Sequence, residues 1–353
     1  MKKTIPLLVL LVATLAPLAA KPYQPLTLAG EVVASFQPTE VAHSAEAMVA
    51  AAESLLASLA KEECEQLLLP LDDVERGEWT NVPTSADDGG LRLGDLKKNQ
   101  LEEVCSFLAT VMSKKGYLKA RNVMLADDLL LRSEKQANRR GGLGTANFWL
   151  VVFGKPSTTE PWGVQLDGHH IAYNLTILGE KVTMSPSFIG TQPHRFTLGE
   201  EEIVPMGPET EAAFAFMASL NEEQKAKAIQ GQKRGRMEAG PGKDGLAPKQ
   251  RGLLCKELTP PQRGLLLKLI TLWIDDLPMS SYLTRLAEIE AQMDEVTFLW
   301  QGPHEPGSDA SFHIFGPGVI IEYAGQNLGG NPLDHLHSIY RDPTNEYGVK
   351  WLR

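Results

Sequence analysis

Four side chains in the last fifth of the chain, His313, Glu322, His335 and His337, could supply the donors of a transition-metal site. Pro317-Gly318 suits the central pair of a type II turn, proline fixing φ and glycine accepting a positive one. If the turn is centred there, pairing counts outward as 316:319, 315:320, 314:321 and 313:322. His313 then lies directly opposite Glu322 with both side chains on one face, an arrangement that a one-residue slip would destroy. Downstream, His335-Leu336-His337 reads as extended chain, in which residues two apart point to the same side. Three imidazoles and a carboxylate suit one divalent ion of zinc, copper, iron or manganese. Such an ion would activate water for hydrolysis, or bind oxygen if it is redox-active. Glu322 would be the fourth ligand or a general base. The competing reading is a buried polar cluster whose members simply hydrogen-bond one another.

A second hairpin is expected at Gln165–Asn174. The same count sets Gln165 opposite Asn174 and puts His169-His170 in the turn. One half of the chain thus carries an ionisable pair where the other carries two amides. His169, His170 and Asn174 are candidates for holding a substrate, and at most one of the two adjacent histidines should reach a shared site, since neighbours diverge on a strand. Arg341 is a candidate for binding an anion or carboxylate through its guanidinium, and so for a catalytic role, with Asp342 beside it as a substrate contact. A local salt bridge holding the Asp342-Pro343 turn is the plainer role for that pair. His194 and His304 lie in Pro/Gly-rich loops and should face solvent. No phosphate-binding loop, dinucleotide fingerprint, nucleophile elbow or H-E-x-x-H motif is present.

The elements that must position these residues come in two similar series. Leu55–Leu59 with Glu62-Glu63 recurs as Phe216–Leu220 with Glu223-Gln224. Gly90-Leu91, Leu96 and Gln100 recur as Gly252-Leu253, Leu258 and Gln262. Behind each glutamine runs a helical apolar pattern, Leu101 to Met112 and Arg263 to Ile274, with Arg263 its one exception. Strands then follow, Phe148–Gly154 and Val296–Gly302, each ending in glycine. The order favours an α+β protein of two pseudo-repeats, each helical and then a small antiparallel sheet, packed as one globular unit. The expected division is a leader at 1–20, a first repeat at 21–191, a connecting segment at 192–210 and a second repeat at 211–353. The stretch from Gly231 to Gly252, dense in Gly, Lys, Arg and Pro, reads as a solvated loop. Trp149, Trp162 and Trp300 flank the strands and should pack in the core.

Composition excludes some classes. Of 353 residues 34 are basic and 44 acidic, giving a formal net charge of −10, which argues against a nucleic-acid binder. An apolar fraction of 43% argues against disorder. Lys2 and Lys3, the apolar run Ile5–Leu15 and the small residues up to Ala20 form a secretory signal pattern. Export to the periplasm or the exterior is the expectation, with no stable membrane span once the leader is gone. The three cysteines, Cys64, Cys105 and Cys255, cannot all pair, and small buried hydrophobes are their expected role.

These residues resemble an uncharacterised family catalogued as domain of unknown function 3500. The resemblance rests on Gly168-His169-His170 with Asn174, on Ser185-Pro186-Ser187-Phe188-Ile189-Gly190, on His313–Gly318 with Ile321-Glu322-Tyr323, and on His335 to Pro343. It spans most of the mature chain and departs from the family pattern at Leu336 and Thr191, neither a candidate ligand. It implies an often exported protein of bacteria and fungi, and implies no activity. The reading is therefore a metal-dependent hydrolase or oxidoreductase. The alternative is a non-catalytic module holding a small molecule or polymer fragment in the cleft between the repeats.

Overall fold

In the computed structural model the described residues are 20–83, 89–133, 142–246, 249–328 and 330–352. Most of the expected leader, residues 1–19, lies outside them. The first half runs β1 (Lys21–Pro22), α1 (Leu28–Ser35), α2 (Ala45–Ser58), α3 (Lys61–Leu67), β2 (Leu68–Leu69), β3 (Leu91–Arg92), α4 (Lys98–Val111) and α5 (Lys114–Ser133). Four longer strands follow: β4 (Phe148–Phe153), β5 (Trp162–Gly168), β6 (Ile171–Leu178) and β7 (Lys181–Thr191). After a short hairpin, β8 (Phe196–Leu198) and β9 (Glu201–Ile203), the second half begins with α6 (Gly207–Ser219) and α7 (Glu222–Ala228). It continues through β10 (Leu253–Leu254), α8 (Pro260–Ile274), α9 (Met279–Glu290), β11 (Thr297–Gln301), β12 (Ser311–Phe315), β13 (Ile320–Gly325) and β14 (Leu336–Arg341). The chain is α+β, with helices segregated from a mixed sheet.

The helix starts follow from local chemistry. In α4 the Gln100 side chain accepts from the Lys97 backbone N–H at 2.8 Å and donates to Ser58 O at 3.2 Å. In α8 Gln262 accepts from the Thr259 N–H at 3.0 Å and donates to Ser219 O at 2.7 Å. Each glutamine satisfies an orphan donor of its own helix and an orphan carbonyl at the end of an earlier one. Both are buried, so an apolar-face count alone would not explain their presence.

One large sheet carries the fold, in the order β10-β11-β12-β13-β14-β7-β6-β5-β4-β2, with β3 also on β4. The two halves meet where β14 pairs antiparallel with β7, His337 opposite Gly190 and Leu336 opposite Thr191. All six residues of β4 are buried, because the sheet is covered on both faces. The main core, including Phe107, Trp162, Phe216, Phe298, Trp300 and Phe312, fills the helix side. A smaller cluster of Trp79, Phe188, Ala239, Phe315, Ile320 and Ile339 fills the other side under loops. Trp149, Trp162 and Trp300 are all buried.

Several expectations meet a different arrangement. The segment 192–210 is more than a connection, since β8 and β9 join β1 in a separate three-stranded sheet. The stretch after Gly231 is exposed along much of its length but is anchored on the sheet by the buried Ala239. His194 and His304 are half-buried rather than exposed. The three cysteines are free; Cys105 and Cys255 are buried as expected, and Cys64 only in part. Among the described residues no helix is long and apolar enough to cross a membrane.

Candidate metal centre

His169 and His170 form the two-residue turn between β5 and β6, closed by the pair Gly168 and Ile171. His170 has a φ of +71°. A non-glycine residue in that region carries strain of about 1 kcal/mol or more, a cost found preferentially at functional sites. The turn lies at the end of β6 that abuts β7, and beyond β7 begins β14. His335 immediately precedes β14 and His337 is its second residue. Side chains two apart on an extended chain face one way, so both imidazoles point toward the His170 ring.

The outcome is a convergence of three Nε2 atoms. His170 Nε2 is 2.9 Å from His335 Nε2, which is 2.9 Å from His337 Nε2. Gly190 makes the approach possible. A Cβ there would come within 2.8 Å of Cδ2 of both His170 and His337, closer than real Cβ atoms pack. Asp127 of α5 adds a second group, since Asp127, His169 and His170 also place donor atoms within 4.8 Å of one another. The His169 and His170 rings stack at 3.6 Å between centroids.

Proton counting shows what the three nitrogens can do. His335 Nδ1 contacts Leu328 O at 2.6 Å. A carbonyl only accepts, so Nδ1 carries the hydrogen and Nε2 of the neutral ring presents a bare lone pair. That single in-plane lone pair faces two imidazole nitrogens and can accept from only one of them well. A cation among the three would engage all three lone pairs at once. Imidazole nitrogens around a tetrahedral zinc are about 3.3 Å apart, as bond lengths near 2.0–2.1 Å require. The observed spacing would open by roughly 0.4 Å per contact to reach it. The Nδ1–H bond to Leu328 is the orienting second bond that metal-binding histidines usually make.

The electrostatics keep the rings neutral. Burial, then the neighbouring His169, His337 and His335, holds His170 well below the usual histidine range. Burial, then His335 and His169, does the same to His337, and burial lowers His335. Neutral imidazole is the metal-binding form. Asp127 is fully buried. It accepts from His169 Nδ1 at 2.5 Å and from the Gly144 N–H at 2.6 Å. Its neighbour Asp128 accepts from Thr145 N–H and from the Tyr23 hydroxyl. Gly144 and Thr145 are thereby tied to this end of α5.

The residues singled out in the sequence are brought together only in part. His313 and Glu322 pair across β12 and β13 as counted, with Nδ1 3.1 Å from Oε1. They share a face with His337 but stand apart along it, because Ile339 occupies the place on β14 opposite Glu322. Neither belongs to a group of three close donors among the described residues. Glu322 Oε2 accepts from the backbone N–H groups of Glu238 and Ala239 at 2.7 and 2.9 Å. Gln165 donates to Asn174 at 2.7 Å across the other hairpin. Arg341 does not pair with Asp342. It is fully buried, bonds to Asp244, Glu346 and the carbonyls of Ala239 and Gly240, while Asp342 faces Arg285 at 3.2 Å. The residue sequence reasoning did not single out is Asp127. Its signal was an acidic pair, Asp127-Asp128, inside the apolar run Val123–Leu131.

With this geometry in place, comparison with known proteins adds a family. A model of the family described as "Protein of unknown function (DUF3500)" matches residues 41–349. The chain belongs to that family. No curated protein and no solved structure matches it. The matched span contains all three converging histidines and Asp127, so the candidate centre lies within the family's own fold unit.

Proposed function

We propose that the protein binds one divalent transition metal through Nε2 of His170, His335 and His337 and uses it in metal-assisted hydrolysis. The observation that carries this reading is the convergence of three neutral imidazole nitrogens at 2.9 Å steps. Three protein ligands leave a coordination position for water, whose proton such an ion makes easier to remove. Asp127 and His169 would orient the His170 side of the centre from behind. Imidazole ligands suit zinc, copper and iron better than magnesium or calcium.

Two further readings accompany it. The repeated order of elements, with Gln100 and Gln262 in equivalent roles, supports two copies of one unit whose junction holds the centre. Lys2, Lys3 and the apolar run after them support export, with cleavage after Ala20, next to the first residue of β1.

The test is metal content of protein purified without an affinity tag and reconstituted with zinc, copper, iron or manganese. About one ion per chain is expected in the parent and in His313→Gln. Replacing His170, His335 or His337 by alanine should weaken metal affinity at least about 10-fold, since even the loss of a group that only orients a ligand costs that much. Hydrolysis of an activated ester should fall with the metal and return with it. Equal metal loss in His313→Gln would move the site to the other hairpin.

A further inference from the structure

A cavity of about 600 Å³ lies on the helix side of the sheet, between α6 and the strands β11 to β14. It is separate from the three converging histidines, none of which lines it. Leu336 lines it, and on an extended strand Leu336 points away from the side taken by His335 and His337. Its origin can be read from the register. A constant offset of 148 carries the pair Val152:Val164 onto Trp300:Phe312 and Gln165:Asn174 onto His313:Glu322. At that offset Trp162 falls on Ala310 and Ile177 on Gly325. In the first half the paired Trp162 and Ile177 are fully buried and fill the space between sheet and helices. In the second half Ala310 leaves part of it open, while the Pro332 backbone packs over Gly325, where a Cβ would collide with Pro332 O.

The lining limits what could enter. Its floor is a cross-strand row of rings, with Trp300 and Phe312 at 6.2 Å and 10°, and Phe312 and Tyr323 at 5.0 Å and 9°. Phe214 of α6 meets Trp300 edge-on at 5.1 Å. Another flat ring can extend that stack or take an edge of it. The charges around the mouth are already engaged. Asp309 pairs with Arg234 at 2.5 Å, Arg195 with Glu202 at 3.3 Å, and Asp334 accepts the His194 backbone N–H. Hydrogen-bonding capacity remains at the Tyr323–Thr210 hydroxyl pair, 2.6 Å apart, and at His194 Nδ1, which is buried without a partner.

We propose that this cavity is a second binding site, independent of the metal, for a neutral aromatic molecule carrying one hydroxyl group. The volume is that of small-molecule pockets, and an apolar body with a single polar anchor is the usual match to such a lining. The probe is 2-naphthol, titrated calorimetrically into the full-length protein and checked by thermal shift. One molecule per chain should bind with a Kd on the order of 100 µM or tighter. Ala310→Trp, which restores the bulk found in the first half, should weaken binding at least about 10-fold with metal content unchanged. If that variant does not fold, Ala310→Leu carries the same test. Absence of any 2-naphthol binding by the parent would overturn the proposal. So would undiminished binding by a folded Ala310 variant, or binding of decanoate or glucose in place of 2-naphthol.

Discussion

His335 shows how one side chain can be committed before any ligand arrives. Its Nδ1–H is held by Leu328 O, so its other nitrogen faces His170 and His337 as an acceptor. Burial lowers the proton affinity of all three rings. In the unfolded chain they titrate near 6.5. Below that pH the unfolded chain takes up protons that the folded chain refuses, so stability rises with pH across the window and falls as acid is added. Metal-free protein should lose stability as pH drops through roughly 6.5. The slope should approach about 1.4 kcal/mol per pH unit for each ring kept neutral, until the folded values are reached. Urea unfolding across that range measures it, and replacing His170 by alanine should flatten the curve. An unchanged slope would place the acid sensitivity elsewhere. That two of these histidines share a face was legible from His335-Leu336-His337. The third was legible only as one of two adjacent candidates, because choosing His170 requires knowing that β7, which lies beside its turn, pairs with β14 of the other half.

At the scale of elements, the β12–β13 hairpin and the segment after Gly231 explain one another. Glu322 is fully buried, and both its oxygens are engaged, by His313 and by two backbone N–H groups of that segment. Arg341 on β14 holds the next residues through Ala239 O, Gly240 O and Asp244. Glycine, proline and charge made this stretch read as solvated loop, and sequence alone gives no sign that its backbone donors end on a carboxylate 83 and 84 positions away. The register of the hairpin itself was legible, since Pro317-Gly318 fixes the turn and the count outward is then forced. Glu322→Gln removes the charge from those bonds and should cost about 1–3 kcal/mol of stability. It should also speed tryptic cleavage near Lys233, Arg234 and Arg236 while leaving metal content unchanged. Loss of the metal in that variant would show instead that this pair serves the centre.

At the scale of the whole molecule, the three histidines meet only because two halves of the chain complete one sheet. His170 comes from the first half and His335 and His337 from the second, and the β7–β14 seam with Gly190 brings them into contact. On the opposite side of the sheet the halves are joined again by a buried lysine. Lys119 of α5 lies 3.0 Å from Glu209 of α6 and 2.9 Å from Asp276 after α8. Burial alone would pull its proton affinity down, yet the two carboxylates hold it well above the usual range. Burial also raises Asp276 to about 6, Lys119 offsetting part of that shift. The α+β class was readable from helical and strand periodicities, as was the central place of the strands. Their union in one sheet was not, because pairing between β7 and β14 depends on two edges that resemble any other buried strand. The account therefore turns on where an ion sits. An anomalous difference map from metal-soaked crystals should show one strong peak about 2.0–2.2 Å from Nε2 of His170, His335 and His337. A map with no peak among these three nitrogens, or with its peak between His313 and Glu322, would contradict it.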